Sequence, residues 1–189
     1  MKKACIVHGW GGFTHEGWYP WLHVELEKLG YMVESPSMPD TDYPRIEAWV
    51  GHLAKIIGEV DTEYVLIGHS IGCQTILRYL ETLPPDKTVA QVILVAPWLG
   101  LTPETLDENE SEEIARPWID TPIHFEKIKT HCNNFVCIFS DNDPFVPLTD
   151  AGIFKEKLGA KIITENAQGH FTESDGITEL PIVLEHVKK

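Results

Sequence analysis

Three side chains that together could carry an acyl transfer stand in order along the chain: Ser70, Asp143 and His170. A serine hydroxyl is a poor nucleophile until a base takes its proton. Imidazole is the side chain poised to do so near neutral pH. A carboxylate behind it would orient the ring and stabilise its charged form. Ser70 lies in Gly68-His69-Ser70-Ile71-Gly72, directly after the apolar run Tyr64-Val-Leu-Ile67. A helical pattern follows at once, with Ile71, Thr75, Leu77, Leu80 and Leu83. The spacing predicts strand, sharp turn and helix, with the serine at the apex. Such a turn holds the serine in a strained backbone that lifts Oγ clear of the sheet. Its two glycines remove Cβ atoms that would collide with the neighbouring strand and helix. The helix aims free N–H groups at developing negative charge. The three fixed positions recur by chance in about 6 of 100 chains of this length. The strand before, the helix after and the partners further along therefore carry the reading, against a glycine-rich turn whose serine merely caps the helix.

His170 is the best placed of nine histidines, after the last strand pattern in Gly169-His-Phe171. His69 precedes Ser70, and at this kind of turn its side chain should point away from the nucleophile. His8 sits near the loop after the first strand and more naturally shapes that loop. Asp143 stands after the fifth strand pattern, in the Ser…Asp…His order. Asp141 is a rival two residues earlier. The turn Asp143-Pro144 favours Asp143, although Asp-x-Asp-Pro is good turn chemistry in its own right. A tetrahedral oxyanion would need donors. The N–H of Ile71 is one candidate and the N–H of Trp10 the other, in a loop whose glycines at 9, 11 and 12 permit close approach.

These residues need a scaffold that brings them to one edge. Short apolar strands are predicted at Ala4–Val7, Tyr31–Ser35, Tyr64–Gly68, Gln91–Val95, Phe135–Ser140 and Lys161–Thr164. Amphipathic helical spacing fills Trp18–Leu29, Arg45–Ile57, the stretch after Ser70, Pro122–His131, Thr149–Leu158 and Leu180–Val187. Alternating strands and helices predict a single α/β domain over residues 1–189. It should be a compact three-layer fold with a mostly parallel sheet of about six strands and helices on both faces. In such sheets ligands sit beyond the carboxyl ends of the strands. His8, Ser70, Trp98, Asp143 and His170 all follow predicted strands. Between Pro97 and Pro122 the pattern dissolves around an acidic run, Glu104 to Glu113. This stretch is expected to form a minimal cap. Trp98, Trp118 and Phe145 are candidate pocket walls, with a structural role for the tryptophans as the alternative.

Fifteen basic and 29 acidic residues give a net charge of −14. That disfavours nucleic acid or an anionic membrane as a partner. No apolar run approaches the ~20 residues of a membrane span. Met1-Lys-Lys passes straight into a short strand, without the pattern of a signal peptide. Cys5, Cys73, Cys132 and Cys137 show no C-x-x-C spacing, so reduced thiols and a cytoplasmic location are expected. His131, Cys132 and Cys137 match no metal-site spacing. Neither a metal nor another cofactor is called for.

Further motifs stand in order with these: His8-Gly-Trp10, Gly17-Trp-Tyr-Pro-Trp21, Met38-Pro-Asp40, Gly68-His-Ser-Ile-Gly-Cys73, Asp143-Pro-Phe-Val-Pro147 and Gly169-His-Phe171. Over nearly the whole chain they resemble the small serine hydrolases related to retinoblastoma-binding protein 9 and the bacterial YdeN-type hydrolases. The resemblance implies an α/β-hydrolase fold lacking the first strands of larger members, with Ser70, Asp143 and His170 as nucleophile, acid and base. It implies esterase or peptidase-like hydrolysis, with a small ester as the expected substrate and an amide as the alternative. The Leu-x-Cys-x-Glu motif of the animal protein is absent, so no protein partner is carried over. Two rivals stand beside this expectation. One is a non-catalytic binding protein on the same fold, and the other a thioesterase or acyltransferase using the same triad.

Overall fold

The computed structural model describes residues 1–107 and 111–187. Its strands are β1 (Lys3–Val7), β2 (Met32–Glu34), β3 (Tyr64–His69), β4 (Gln91–Val95), β5 (Phe135–Ser140) and β6 (Lys161–Glu165). They form one sheet in the order β2-β1-β3-β4-β5-β6, with every neighbouring pair parallel. The helices are α1 (Tyr19–Lys28), α2 (Ile46–Ile57), α3 (Ile71–Thr82), α4 (Pro103–Leu106), α5 (Ser111–Asp120), α6 (Phe125–Lys129), α7 (Asp150–Leu158) and α8 (Pro181–His186).

The central strands are apolar because both of their faces are covered. Every residue of β3, β4 and β5 is buried, whereas the edge strands β2 and β6 keep exposed positions. The strand order fixes where the helices go. The step from β1 to β2 runs one way along the sheet and the later crossovers run the other. Right-handed connections therefore put α1 on one face and α2, α3, α6 and α7 on the opposite face. Contacts agree: α1 meets α8, while α2–α3, α3–α6 and α6–α7 form a continuous row. This is the three-layer arrangement the sequence predicts. Helix α3 is buried from Ile71 through Leu80, which leaves that span no solvent-exposed face.

The 97–122 stretch is more ordered than the sequence pattern suggests. It holds α4 and α5, and α5 forms with Pro117 inside it. Proline there removes one helical N–H. Burial of Ala115 and Trp118, with Glu112 and Glu113 in the favoured first turn, offsets that loss. Residues 108–110 of the acidic run lie outside the described residues.

Arg78 ties α5 to α3. Its guanidinium donates to the carbonyl oxygens of Trp118 and Thr121, each at 2.8 Å, and to Gln74 Oε1 at 3.0 Å. The same Gln74 donates through Nε2 to the Trp98 carbonyl at 3.2 Å. A buried cation thus closes the C-terminal end of α5, where a positive charge is favoured, and couples it to the loop after β4.

Backbone strain is concentrated at one edge of the sheet. The described non-glycine residues with positive φ are Asp40, Ser70, Ala96, Ala167 and Phe171, and all follow the carboxyl ends of strands.

Candidate active site

Ser70 sits between β3 and α3 with φ 53° and ψ −121°, a conformation costly for a residue with a Cβ. The packing around it explains both flanking glycines. A Cβ on Gly72 would lie 2.4 Å from the Val7 carbonyl oxygen, and one on Gly68 would lie 2.8 Å from the Cys73 nitrogen. Helix α3 can therefore rest directly on β1 and β3, and this contact presents Ser70.

Asp143 and His170 meet. His170 Nδ1 lies 2.8 Å from Asp143 Oδ2. A carboxylate oxygen accepts, so Nδ1 carries the ring proton and Nε2 is left with a lone pair. The other oxygen, Asp143 Oδ1, accepts the N–H groups of Phe145 and Val146 at 2.9 and 3.1 Å. The Asp-Pro-Phe-Val turn thus holds one carboxylate oxygen and presents the other to the imidazole. Asp141 does not reach His170. It accepts instead from the Ala167 N–H at 2.8 Å and from Asn166 Nδ2 at 2.7 Å, and these donors hold its carboxyl below the ordinary range.

Asp143 is one of four consecutive residues that fasten the two loops together. Ser140 Oγ accepts the Gln168 N–H at 3.0 Å and donates to Asn142 Oδ1 at 2.8 Å. Asn142 Oδ1 also accepts the Gly169 N–H at 2.8 Å. On its far side the histidine loop is held by Asp175, whose Oδ2 accepts the His170 N–H at 2.9 Å and the Thr172 hydroxyl at 2.6 Å. Partial burial works against ionisation of Asp175, but these donors together lower its carboxyl. Gly169 is required here. It has φ 56°, and a Cβ would fall 2.2 Å from Asp175 Oδ1.

The loop after β1 frames the other side. His8 Nδ1 donates to the Gly9 carbonyl at 2.8 Å, and His8 Nε2 accepts the Met38 N–H at 3.1 Å. His8 therefore shapes the turn, as its position in the sequence suggests. Burial lowers its pKa. Three of the four amides in this loop are engaged: Gly9 with Tyr19 Oη, Gly11 with the Thr41 carbonyl and Gly12 with the Gly9 carbonyl. Among these four, the Trp10 N–H has no partner within the described residues. The Ile71 N–H opens α3 directly after Ser70.

These parts line one cavity of about 390 Å³ that contains Gly9, Trp10, Ser70 and His170. Ser70 and His170 share it without a hydrogen bond between them, a contact that tightens in hydrolytic sites once a substrate is bound. Trp98 and Phe145 line the cavity. Phe145 also stands edge-on to the His170 ring, with centroids 5.0 Å apart. Leu101, Thr105 and Ser111 line it from the cap.

Trp118 corrects the expectation. It does not line the cavity but lies in the core, donating to the Pro44 carbonyl at 2.9 Å and packing edge-on against Trp49. Its position in α5 turns it toward α2 rather than toward Ser70. Trp18 and Phe171 take its place as unanticipated aromatic lining, joined by a Trp18 Nε1–Phe171 carbonyl hydrogen bond of 3.0 Å.

His69 is buried with both ring nitrogens engaged. Its Nδ1 meets Tyr19 Oη at 2.6 Å and its Nε2 meets the His170 carbonyl at 2.8 Å. Burial first, and the neighbouring charge of His170 second, push its pKa down to about 3. In sequence, Tyr19 appears only within the motif Gly17-Trp-Tyr-Pro-Trp21 and His69 only as a residue turned away from Ser70. Neither spacing nor composition signals that the two meet.

A family profile described as serine hydrolase matches residues 4–189. The serine hydrolase RBBP9 of Rattus norvegicus is 34% identical over 179 residues, covering 92% of this chain and 89% of its own. YdeN of Bacillus subtilis (strain 168) is 29% identical over 186 residues, covering 97% of this chain and 93% of its own. The crystal structure of the ydeN gene product superposes with a TM-score of 0.89 over 98% of this chain and 96% of that one, at 28% identity. Est1E of Butyrivibrio proteoclasticus, solved with ferulic acid, shares the fold at a TM-score of 0.72 and 16% identity, over all of this chain and 90% of its own.

Proposed function

This chain belongs to the serine hydrolase family, and from that premise we propose that it cleaves a small carboxylic ester, with an amide as the alternative substrate, through an acyl-enzyme on Ser70. Ser70 is the nucleophile, His170 the base and Asp143 the acid that orients it, all within one catalytic domain. The observation that carries this reading is the division of the Asp143 carboxylate, one oxygen held by its own turn and the other bound to His170 Nδ1 at 2.8 Å.

The steps follow from where protons can go. Ser70 Oγ attacks the ester carbonyl carbon while its proton passes to His170 Nε2. The negative charge that develops on the carbonyl oxygen is met by the N–H groups of Trp10 and Ile71. Collapse breaks the bond to the alcohol oxygen, which leaves with the proton from Nε2. Water then attacks the acyl-enzyme, giving one proton back to Nε2, and Ser70 leaves as that proton returns to its oxygen. Asp143 stays ionised throughout and stabilises the imidazolium.

The aromatic walls favour an apolar acyl or alcohol group, and the cavity volume favours a small one. Among the described residues no helix is long and apolar enough to cross a membrane. Cys5, Cys73, Cys132 and Cys137 are free thiols, which supports a reducing compartment such as the cytoplasm. The reading is tested by hydrolysis of a panel of chromogenic esters of graded chain length, with Ser70→Ala as the control. Turnover that survives in Ser70→Ala would remove the proposal.

A further inference from the structure

Beneath the site, one chain of hydrogen bonds joins four segments. The Gly9 N–H reaches Tyr19 Oη at 3.3 Å, Tyr19 Oη lies 2.6 Å from His69 Nδ1, and His69 Nε2 lies 2.8 Å from the His170 carbonyl oxygen. The direction of every bond is fixed by chemistry. A carbonyl oxygen can only accept, so the proton of the neutral His69 ring is on Nε2. Nδ1 then offers only a lone pair, so the Tyr19 hydroxyl donates to it. With its proton committed, the Tyr19 oxygen accepts from Gly9. Tyr19, His69 and His170 are all buried, so water is a poor substitute for any of these partners.

The three segments joined to Tyr19 are those that act on substrate in the reading above. Gly9 immediately precedes Trp10, the proposed oxyanion donor. His69 immediately precedes Ser70. The His170 backbone carries the base. The Gly9 residue is gripped from its other side as well, because its carbonyl accepts from His8 Nδ1 at 2.8 Å. The loop also lies tight on the ring: a Cβ on Gly9 would stand 3.2 Å from His69 Nδ1.

We propose that His69, together with Tyr19, is a positioning residue that sets the Trp10 peptide of the oxyanion loop at a fixed distance from the His170 base. The inference rests on the triad reading. In the transition state, negative charge forms at the Trp10 N–H while positive charge forms on His170. Stabilisation of both depends on a preorganised spacing between them. A neutral histidine suits this place. Its ring centroid is 5.0 Å from that of His170, where a permanent cation would oppose formation of the imidazolium. A residue that works only through this spacing affects turnover and leaves ground-state binding alone.

The test uses Tyr19→Phe, which keeps the ring and removes the hydroxyl. We expect kcat on a short-chain ester to fall about tenfold, the scale of one well-placed hydrogen bond, with KM within about twofold of wild type. Adding His69→Gln should cost much less than the product of the two single effects, because both break one chain. Nitrogen-15 NMR of the wild-type ring should show His69 protonated on Nε2 and unchanged from about pH 5 to about pH 8, the behaviour of a buried neutral imidazole. If Tyr19→Phe does not fold, His69→Gln carries the same comparison of kcat against KM. Unchanged kcat in a folded Tyr19→Phe, a loss confined to KM, or a His69 proton on Nδ1 would overturn the positioning role. A wild type that a fluorophosphonate does not label would overturn the triad reading instead, so the two failures are distinguishable.

Discussion

Gly72 approaches the first strand so closely that a Cβ on it would stand 2.4 Å from the Val7 carbonyl oxygen. The neighbouring atoms are backbone of β1, which cannot swing aside. Gly72→Ala should therefore push α3 off the sheet and destabilise the fold by about 3 kcal/mol, the upper part of the range for overpacking. Urea unfolding measures this. Gly51 has open space around its missing Cβ. Ala at that position in α2 should be neutral or slightly stabilising, and equal effects at the two sites would refute the packing account of the turn.

The two aspartates of the β5 loop should separate cleanly. Asp143→Asn is expected to lower kcat about 10⁴-fold, as when a triad carboxylate is replaced and the imidazole tautomer is lost. Asp141→Asn loosens residues 166–167 and should cost no more than about tenfold. Steady-state kinetics with one ester gives both numbers, and the reverse ranking would move the acid role to Asp141.

Stability should fall with acid in a window set by buried histidines. Below the ordinary histidine value of 6.5 the unfolded chain binds a proton at position 69, whereas the folded chain resists until about pH 3. The unfolded state then holds more protons, so the contribution of His69 is complete above 6.5 and is lost as pH falls toward 3. The slope is about 1.4 kcal/mol per pH unit for each such group. His8 acts in the same direction. Between about pH 6 and pH 5, His69→Gln should flatten the pH dependence of unfolding free energy by about one proton. An unaltered slope would mean that His69 titrates in the folded protein.

Acyl-chain preference should rise and then stop. Each methylene buried in the cavity adds about 0.8 kcal/mol, or roughly fourfold in kcat/KM, until the space bounded by Trp18, Trp98 and Phe145 is filled. Trp98→Ala should move that plateau to longer chains. If Trp98 were only a core residue, the substitution would lower stability and leave the preference unchanged. A wild-type preference that climbs steadily to long-chain esters would contradict a bounded pocket.

Much of this was legible in the sequence because local and global signals agree. The runs at Tyr64, Gln91 and Phe135 are apolar on both faces and correspond to the buried central strands. Gly68 and Gly72 flank Ser70 for a steric reason that the motif itself expresses. The cap was harder. Pro117 argues for loop locally, and α5 forms through support that spacing does not show, the burial of Ala115 and Trp118 and the Arg78 contacts to its C-terminal carbonyls. Trp118 illustrates the limit: an aromatic in a stretch beside the site can face the site or the core, and its packing against Trp49 places it in the core. The Tyr19–His69 contact spans 50 residues and has no periodicity to betray it.

The most direct test of the central claim is covalent. Wild-type protein treated with a fluorophosphonate and digested should yield one modified peptide, with the label on Ser70. Labelling should disappear in Ser70→Ala and be strongly slowed in His170→Ala, because the base is needed to activate the hydroxyl. Label on a different residue, or undiminished labelling in Ser70→Ala, would contradict the account.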